Sequence, residues 1–251
     1  MGIVEMMNSS SNPESNRPIA HGIILAKVTD INDPNKKGRI KCGFITDDSD
    51  AGETGWIYYI TLFGGNNNGM CFHPNVGDIV ALGFQNGNIE TPIALGSVWI
   101  ADNNCPIELK DGKNDEYKII TPNKSCIDLY DESGKEKITV STPKGRTLLL
   151  DDENQIIKLS DEKNTVVLNQ KNGTVEITAE KKLLIKVGSA ITVSCDGTSG
   201  ELKIDAKKAV DISTAQFKVN ASGTAEVSGN GSAEIKSSGM LTLKGSMTKI
   251  N

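Results

Sequence analysis

Aromatic residues are scarce and unevenly placed. Only 4% of the 251 residues are Phe, Trp or Tyr, and all of them except Phe217 lie before residue 131. A conventional core built on large side chains can therefore form only in the first half of the chain. Basic charge is also short: 27 Lys plus Arg stand against 32 Asp plus Glu, for a net charge of -5. That balance argues against a sequence-independent nucleic-acid binder, which needs a basic surface to release counterions. No apolar run approaches the roughly 20 residues that span a bilayer; Gly22-Ile23-Ile24-Leu25-Ala26 is about the longest. The stretch from Met1 to Arg17 is polar and has no basic leader, so a secretory signal is not expected. The expectation is synthesis in the cytoplasm, assembly into a particle and release by lysis.

Chemistry-bearing motifs are missing too. Cys42, Cys71, Cys105, Cys126 and Cys195 are odd in number and widely spaced, with no Cys-x-x-Cys, so neither a zinc ribbon nor a disulfide scaffold is indicated. Cys71 and His73 form a pair of metal-ligand types without further ligands nearby, and are read as a loop. Asp47-Asp48-x-Asp50 and Asp151-Asp152-Glu153 lack the spacing of a calcium loop and are read as solvated turns. No Gly-x-Ser-x-Gly, Walker loop or His-Glu-x-x-His is present. The expectation is a non-enzyme with no cofactor and no metal.

What is present divides into two unlike halves. Residues 1–20 read as a flexible polar arm. Residues 21–100 hold five β-type runs, 22–29, 39–45, 56–62, 78–84 and 92–98, separated by turn clusters such as Asn32-Asp33-Pro34-Asn35. Five short strands without a helical period predict a small closed barrel, for which the OB-fold is the commonest choice. Trp56 and Trp99 are expected in the barrel core rather than as stacking platforms for bases. Residues 101–126 read as a linker.

From 127 to 251 the sequence repeats apolar-x-apolar followed by a polar corner. The units are Ile127/Leu129, Ile138/Val140, Leu148/Leu150, Ile157/Leu159, Val166/Leu168, Val175/Ile177, Leu183/Ile185, Ile191/Val193, Leu202/Ile204, Val210/Ile212, Phe217/Val219, Ala225/Val227, Ala233/Ile235 and Leu241/Leu243. The step is 8–11 residues at first and settles to 7 or 8 near the end. Such regularity points to a stacked architecture. Apolar-x-apolar places both side chains on one strand face, and Gly173, Gly188, Gly223, Gly229, Gly231, Gly239 and Gly245 suit the corners. Each unit supplies only two inward residues, so one chain would have to close three successive units into a coil of about 24 residues. Three chains that each supply one face of every layer fit the thin core better, and pairing strand edges between chains leaves none open. At about 4.8 Å per layer, fourteen units make a stiff rod of roughly 65 Å. An ordinary antiparallel sandwich explains neither the near-constant step nor the lack of aromatics.

The barrel region carries a resemblance. Gly38-Arg39-Ile40-Lys41, Trp56, and Phe72-His73-Pro74-Asn75-Val76-Gly77-Asp78-Ile79-Val80 occur in order. Gly83-Phe84-Gln85-Asn86-Gly87-Asn88 and Pro92-Ile93-Ala94-Leu95-Gly96-Ser97-Val98-Trp99 follow. This series resembles the OB-fold domain of baseplate spikes, the gpV-type proteins of contractile phage tails and the VgrG proteins of type VI secretion. The resemblance implies an all-β chain, a five-stranded OB barrel followed by an intertwined trimeric β-helix over 127–251. It implies a homotrimer with a baseplate hub protein at the barrel end. It also implies a needle that meets the target envelope when a sheath contracts, with no nucleic acid bound.

The inward, trimer-forming set of these units is then Ile127 through Leu150, Val166 through Ile177, Ile191 through Ile204, and Val210, Ile212, Phe217, Val219, Val227, Ile235, Leu241 and Leu243. Met247, Lys249, Ile250 and Asn251 are expected as the tip, a seat for a PAAR-repeat cap. The hub is expected as a separate protein; residues 101–126 are too few for the lysozyme domain that some relatives insert, and a His-x-His apex is not expected, since the histidines are His21 and His73. The competing readings are a β-helical tailspike depolymerase and an OB-fold nucleic-acid binder with a trimerising tail.

Overall fold

The computed structural model describes residues 22–45, 52–100, 103–109 and 111–250. The arm, His21, the Asp47-Asp48-x-Asp50 cluster and Asn251 lie outside the described residues. The chain divides into two units, 1–179 and 180–251.

The first five expected runs are strands. β1 (Ile24–Asp30), β2 (Lys41–Phe44), β3 (Tyr58–Tyr59), β6 (Ile79–Phe84) and β7 (Pro92–Ser97) form one sheet in the order β2-β1-β6-β7-β3. A two-residue hairpin, β4 (Gly64–Gly65) with β5 (Asn68–Gly69), interrupts the loop after β3. β3 pairs in parallel with β7, and every other pairing of the sheet is antiparallel.

The two edges of this sheet find each other. The Ile40 and Ile57 amides exchange bonds with each other's carbonyls at 3.0 and 2.9 Å. The Thr54 amide donates to the Cys42 carbonyl at 2.8 Å, and the Cys42 amide to Thr54 Oγ1 at 3.0 Å. The segment leading into β3 thus closes on β2 and leaves no free edge on the barrel wall. This is the OB-like arrangement expected from the sequence.

Alternation along each strand fills the interior with Ala26, Val28, Ile40, Cys42, Ile57, Val80, Leu82 and Ala94. These are small or medium side chains, and the space is narrow. That explains a correction: neither tryptophan is in the core. Trp56 is half-buried with Lys41 Nζ 5.1 Å from its ring centre, and Trp99 is 65% exposed.

From β8 the chain builds a meander. β8 (Glu116–Ile120), β9 (Cys126–Tyr130), β10 (Lys137–Ser141), β11 (Thr147–Asp151), β12 (Ile156–Ser160), β13 (Thr165–Asn169) and β14 (Thr174–Thr178) make one antiparallel sheet in sequence order. A second meander follows in the other unit, β15 (Lys182–Val187), β16 (Ile191–Asp196) and β17 (Glu201–Ala206). The sheet thus begins with Tyr117-x-Ile119, inside the stretch read as linker. Over 116–206 the strands pair within the chain, not between chains as expected. Beyond Ala206 the described residues contain no strand.

Candidate functional site

In the meander, register lines the apolar residues up across all seven strands. One row runs Ile119, Ile127, Val140, Leu148, Leu159, Val166, Ile177. The other runs Tyr117, Leu129, Ile138, Leu150, Ile157, Leu168, Val175. Each residue sits directly opposite its neighbours in the row, where cross-strand side chains pack. The expected face is therefore a single surface, and Ile157 and Leu159 belong to it.

Nothing among the described residues covers that face. Leu150 and Val166 are half-buried; the other twelve are exposed, from 38% at Leu148 to 70% at Val175. Every buried apolar side chain of the described chain is in the barrel. Covering a large aliphatic side chain completely stabilises by about 1.5–3 kcal/mol. With roughly half of that still to gain at each of fourteen positions, the uncovered face is a deficit on the order of 10 kcal/mol, as large as the stability of a domain.

The opposite face carries the charged side chains, paired within the chain among apolar Ile120, Leu149, Ile156 and Val167, and there Asp128 Oδ1 is buried without a hydrogen-bond partner. Lys118 pairs with Glu116 and, at 3.5 Å, with Asp128; Lys137 reaches Glu153 at 3.3 Å and Asp151 at 3.5 Å. Hydrogen bonding to Glu116 raises the Lys118 pKa above its ordinary value, and bonding to Glu153 raises that of Lys137. Asp151 corrects the solvated-turn reading, because it is only 5% exposed. Its carboxylate accepts from the side chain and the backbone of Asn154, each at 3.0 Å, and these bonds lower its pKa. The acid holds the β11–β12 corner rather than facing water.

The second meander repeats the theme. Leu183, Cys195 and Leu202 align, as do Ile185, Val193 and Ile204, and Val187, Ile191 and Ala206. Cys195 thus joins the apolar face; as an apolar-sized residue two positions after Val193, it was legible from spacing.

The hairpins and the later corners differ in conformation. Each of the eight hairpins in the two meanders places one residue at positive φ, from Lys124 in the first to Gly200 in the last. A tight reversal between antiparallel strands commonly needs such a residue. Among the described residues after Gly200 there is none, although Gly223, Gly229, Gly231, Gly239 and Gly245 follow. The chain instead bends at Lys207–Lys208, Ala215, Ser222–Gly223, Asn230–Gly231, Ser238–Gly239 and Ser246. Between successive bends lies one apolar pair: Val210/Ile212, Phe217/Val219, Ala225/Val227, Ala233/Ile235 and Leu241/Leu243. The seven glycines read as equivalent corners are thus of two kinds. Gly173 and Gly188 reverse the chain, and the later five do not.

The OB-motif residues serve the barrel. Asp33, which sequence reasoning left as a turn residue, anchors Arg39: Nε and a terminal nitrogen donate to its two carboxylate oxygens at 3.0 and 2.7 Å. The amides of Asn35 and Lys37 add bonds at 3.0 and 2.9 Å. Arg39 above all holds the Asp33 pKa well below the carboxylate range. The signal in the sequence was an Asp six residues before an Arg across a Pro-Asn turn.

At Gly38 (φ 69°) a Cβ would stand 3.1 Å from His73 Nε2, close enough that the imidazole would have to shift. Gly77 and Gly87 also have positive φ, Pro74 is buried, and Gly83 lies beneath Leu95. Phe84 is half-buried at the end of β6, Asp78 Oδ2 accepts from the Asn75 amide at 2.8 Å, and Pro92 and Gly96 lie in β7. Cys71 and His73 are both exposed, and no metal-ligand cluster occurs among the described residues.

A depressed pKa in the folded state stabilises above the ordinary carboxylate range and is lost as pH falls through the folded value. Asp33→Asn should therefore lower the barrel's melting midpoint by several degrees at pH 7. Its gap from the unmodified chain should stay constant down to about pH 4 and shrink below it. Thermal melts at pH 7 and pH 3 check this; an equal gap at both would contradict the role given to the ion pair.

Comparison with known proteins agrees with the barrel. Residues 24–99 match the family described as the type VI secretion system/phage-baseplate injector OB domain. No curated protein matches the chain. The match supports a baseplate spike of gpV or VgrG type, a spike-type role in a phage or type VI injector, and a place in a virion or tail particle with other baseplate components. Among the described residues no helix is long and apolar enough to cross a membrane.

Proposed function

We propose that the chain is the central spike of a contractile phage tail or tail-like particle, a homotrimer seated under a hub protein by its barrels. Its needle is driven through the target envelope on sheath contraction. The observation that carries this reading is the apolar face of each meander, uncovered in one chain. Three copies turned face to face would bury it on a common axis, and Ile127 through Ile204 of the expected inward set would meet there.

The shaft in this reading is built in two ways. Over 116–178 and again over 182–206 each chain supplies a self-paired sheet, and only side chains join it to the same sheets of its neighbours. Over 207–250 the backbone has no ladder of its own, yet buried peptide groups must be hydrogen-bonded. Bending without reversing every seven or eight residues, it winds with two neighbours and pairs with their strands. Val210, Ile212, Phe217, Val219, Val227, Ile235, Leu241 and Leu243 then face the axis. The work done is mechanical and needs no catalytic group. Exposure of Trp99 removes burial as an argument against base stacking, and the acidic charge balance stands as the remaining one.

Strands shared between chains cannot separate one pair at a time. The trimer should therefore resist SDS at room temperature and run as a monomer only after boiling. Migration as a monomer in unboiled samples would count against the wound segment.

A further inference from the structure

The barrel wall has an uncharged side. Val80, Leu82, Ala94 and Ile57 point inward, so Ala81, Gly83, Ile93, Leu95, Tyr58 and Ile60 point outward. Register places Gly83, Ile93 and Tyr58 side by side across β6, β7 and β3. The Ile60 amide donates to the Ala94 carbonyl at 2.9 Å, next to Leu95. Tyr58, Ile60 and Leu95 are 56%, 48% and 41% exposed. Leu95 lies flat over Gly83, where a Cβ would stand 3.2 Å from Leu95 Cδ1, which keeps the wall smooth. Neither β6, β7 nor residues 58–63 contain a charged side chain, whereas β1 and β2 carry Lys27 and Lys41.

We propose that this wall of β3, β6 and β7 is the contact between barrels of neighbouring copies, a second interface separate from the needle. The occupant is another copy of this chain, for two reasons. Each copy carries a net charge of -5, so self-association favours a contact without like charges facing each other. Eighteen residues separate Ser97, the end of β7, from Glu116, the start of the meander. They reach at most about 60 Å. Barrels tethered this closely to a trimeric shaft meet at high effective concentration, so a modest apolar contact is enough to hold them together. The inference rests on the trimeric reading and adds to it where the barrels touch.

The test places the photo-crosslinker p-benzoylphenylalanine at Tyr58, an aromatic-for-aromatic exchange, and separately at Leu95, in the full chain. Lys27, on the charged wall, is the control position. After irradiation and boiling, positions 58 and 95 should give several-fold more covalent dimer and trimer than position 27. If light scattering shows a trimer and positions 58 and 95 crosslink no better than 27, the barrel contact is wrong and the needle reading stands. If the unmodified chain is a monomer, both fall.

Discussion

Leu148→Asp is expected to leave no detectable soluble trimer, while Leu149→Asp, one residue away, is expected to assemble at a normal yield. The two residues lie on opposite faces of β11. Leu148 is in the uncovered apolar row between Val140 and Leu159. In the trimer its replacement puts three carboxylates against a dry axis, and each buried ion costs several kcal/mol when unpaired. Leu149 sits between Thr139 and Lys158 on the polar face, where a carboxylate finds a cation. A single-chain view predicts the reverse order, because Leu148 is the more exposed of the two in one chain. Purification of both variants with size-exclusion chromatography decides. A trimer from Leu148→Asp and none from Leu149→Asp would turn the assembly inside out.

Val210→Asp tests the other half of the shaft. Val210 opens the first apolar pair after the ladder ends at Ala206, and it is exposed in the isolated chain. In a single chain the change would cost almost nothing, since an exposed valine becomes an exposed aspartate. In the wound segment it sets three charges together on the axis and should abolish soluble trimer as completely as Leu148→Asp. A normal trimer yield would show that residues 207–250 do not wind inward at this position.

The barrel was legible because its signals are local. Five alternating runs separated by Asn, Asp, Pro and Gly clusters specify strands wherever the chain closes them, and each run became one. The tryptophans misled because ring size argues for burial, whereas an interior lined by Ala26, Val28 and Ala94 has no space for an indole. The face of the repeat was also legible, since apolar-x-apolar fixes which side chains share a side.

Strand direction was not fixed by that pattern, because two-residue periodicity reads the same forwards and backwards. The corners held the answer. Steps of 9 to 11 leave four to six residues between strands, enough for a reversal with one left-handed residue, as at Gly134 and Gly173. A step of 8 still reverses across the three residues 188–190, with Gly188 left-handed; after Ala206, where every step is 7 or 8, no residue takes that conformation and the chain bends onward instead. Asp33 and Asp151 were missed as anchors because a turn acid and a turn-bonding acid look alike until their partners, Arg39 and Asn154, are placed beside them.

The central claim is that three copies share one dry interior. Light scattering on the purified full chain at micromolar concentration tests it most directly. One chain is 26.8 kDa, so a particle of three should weigh about 80 kDa at every concentration sampled, because a wound shaft does not dissociate by dilution. A stable mass of one chain would contradict the account.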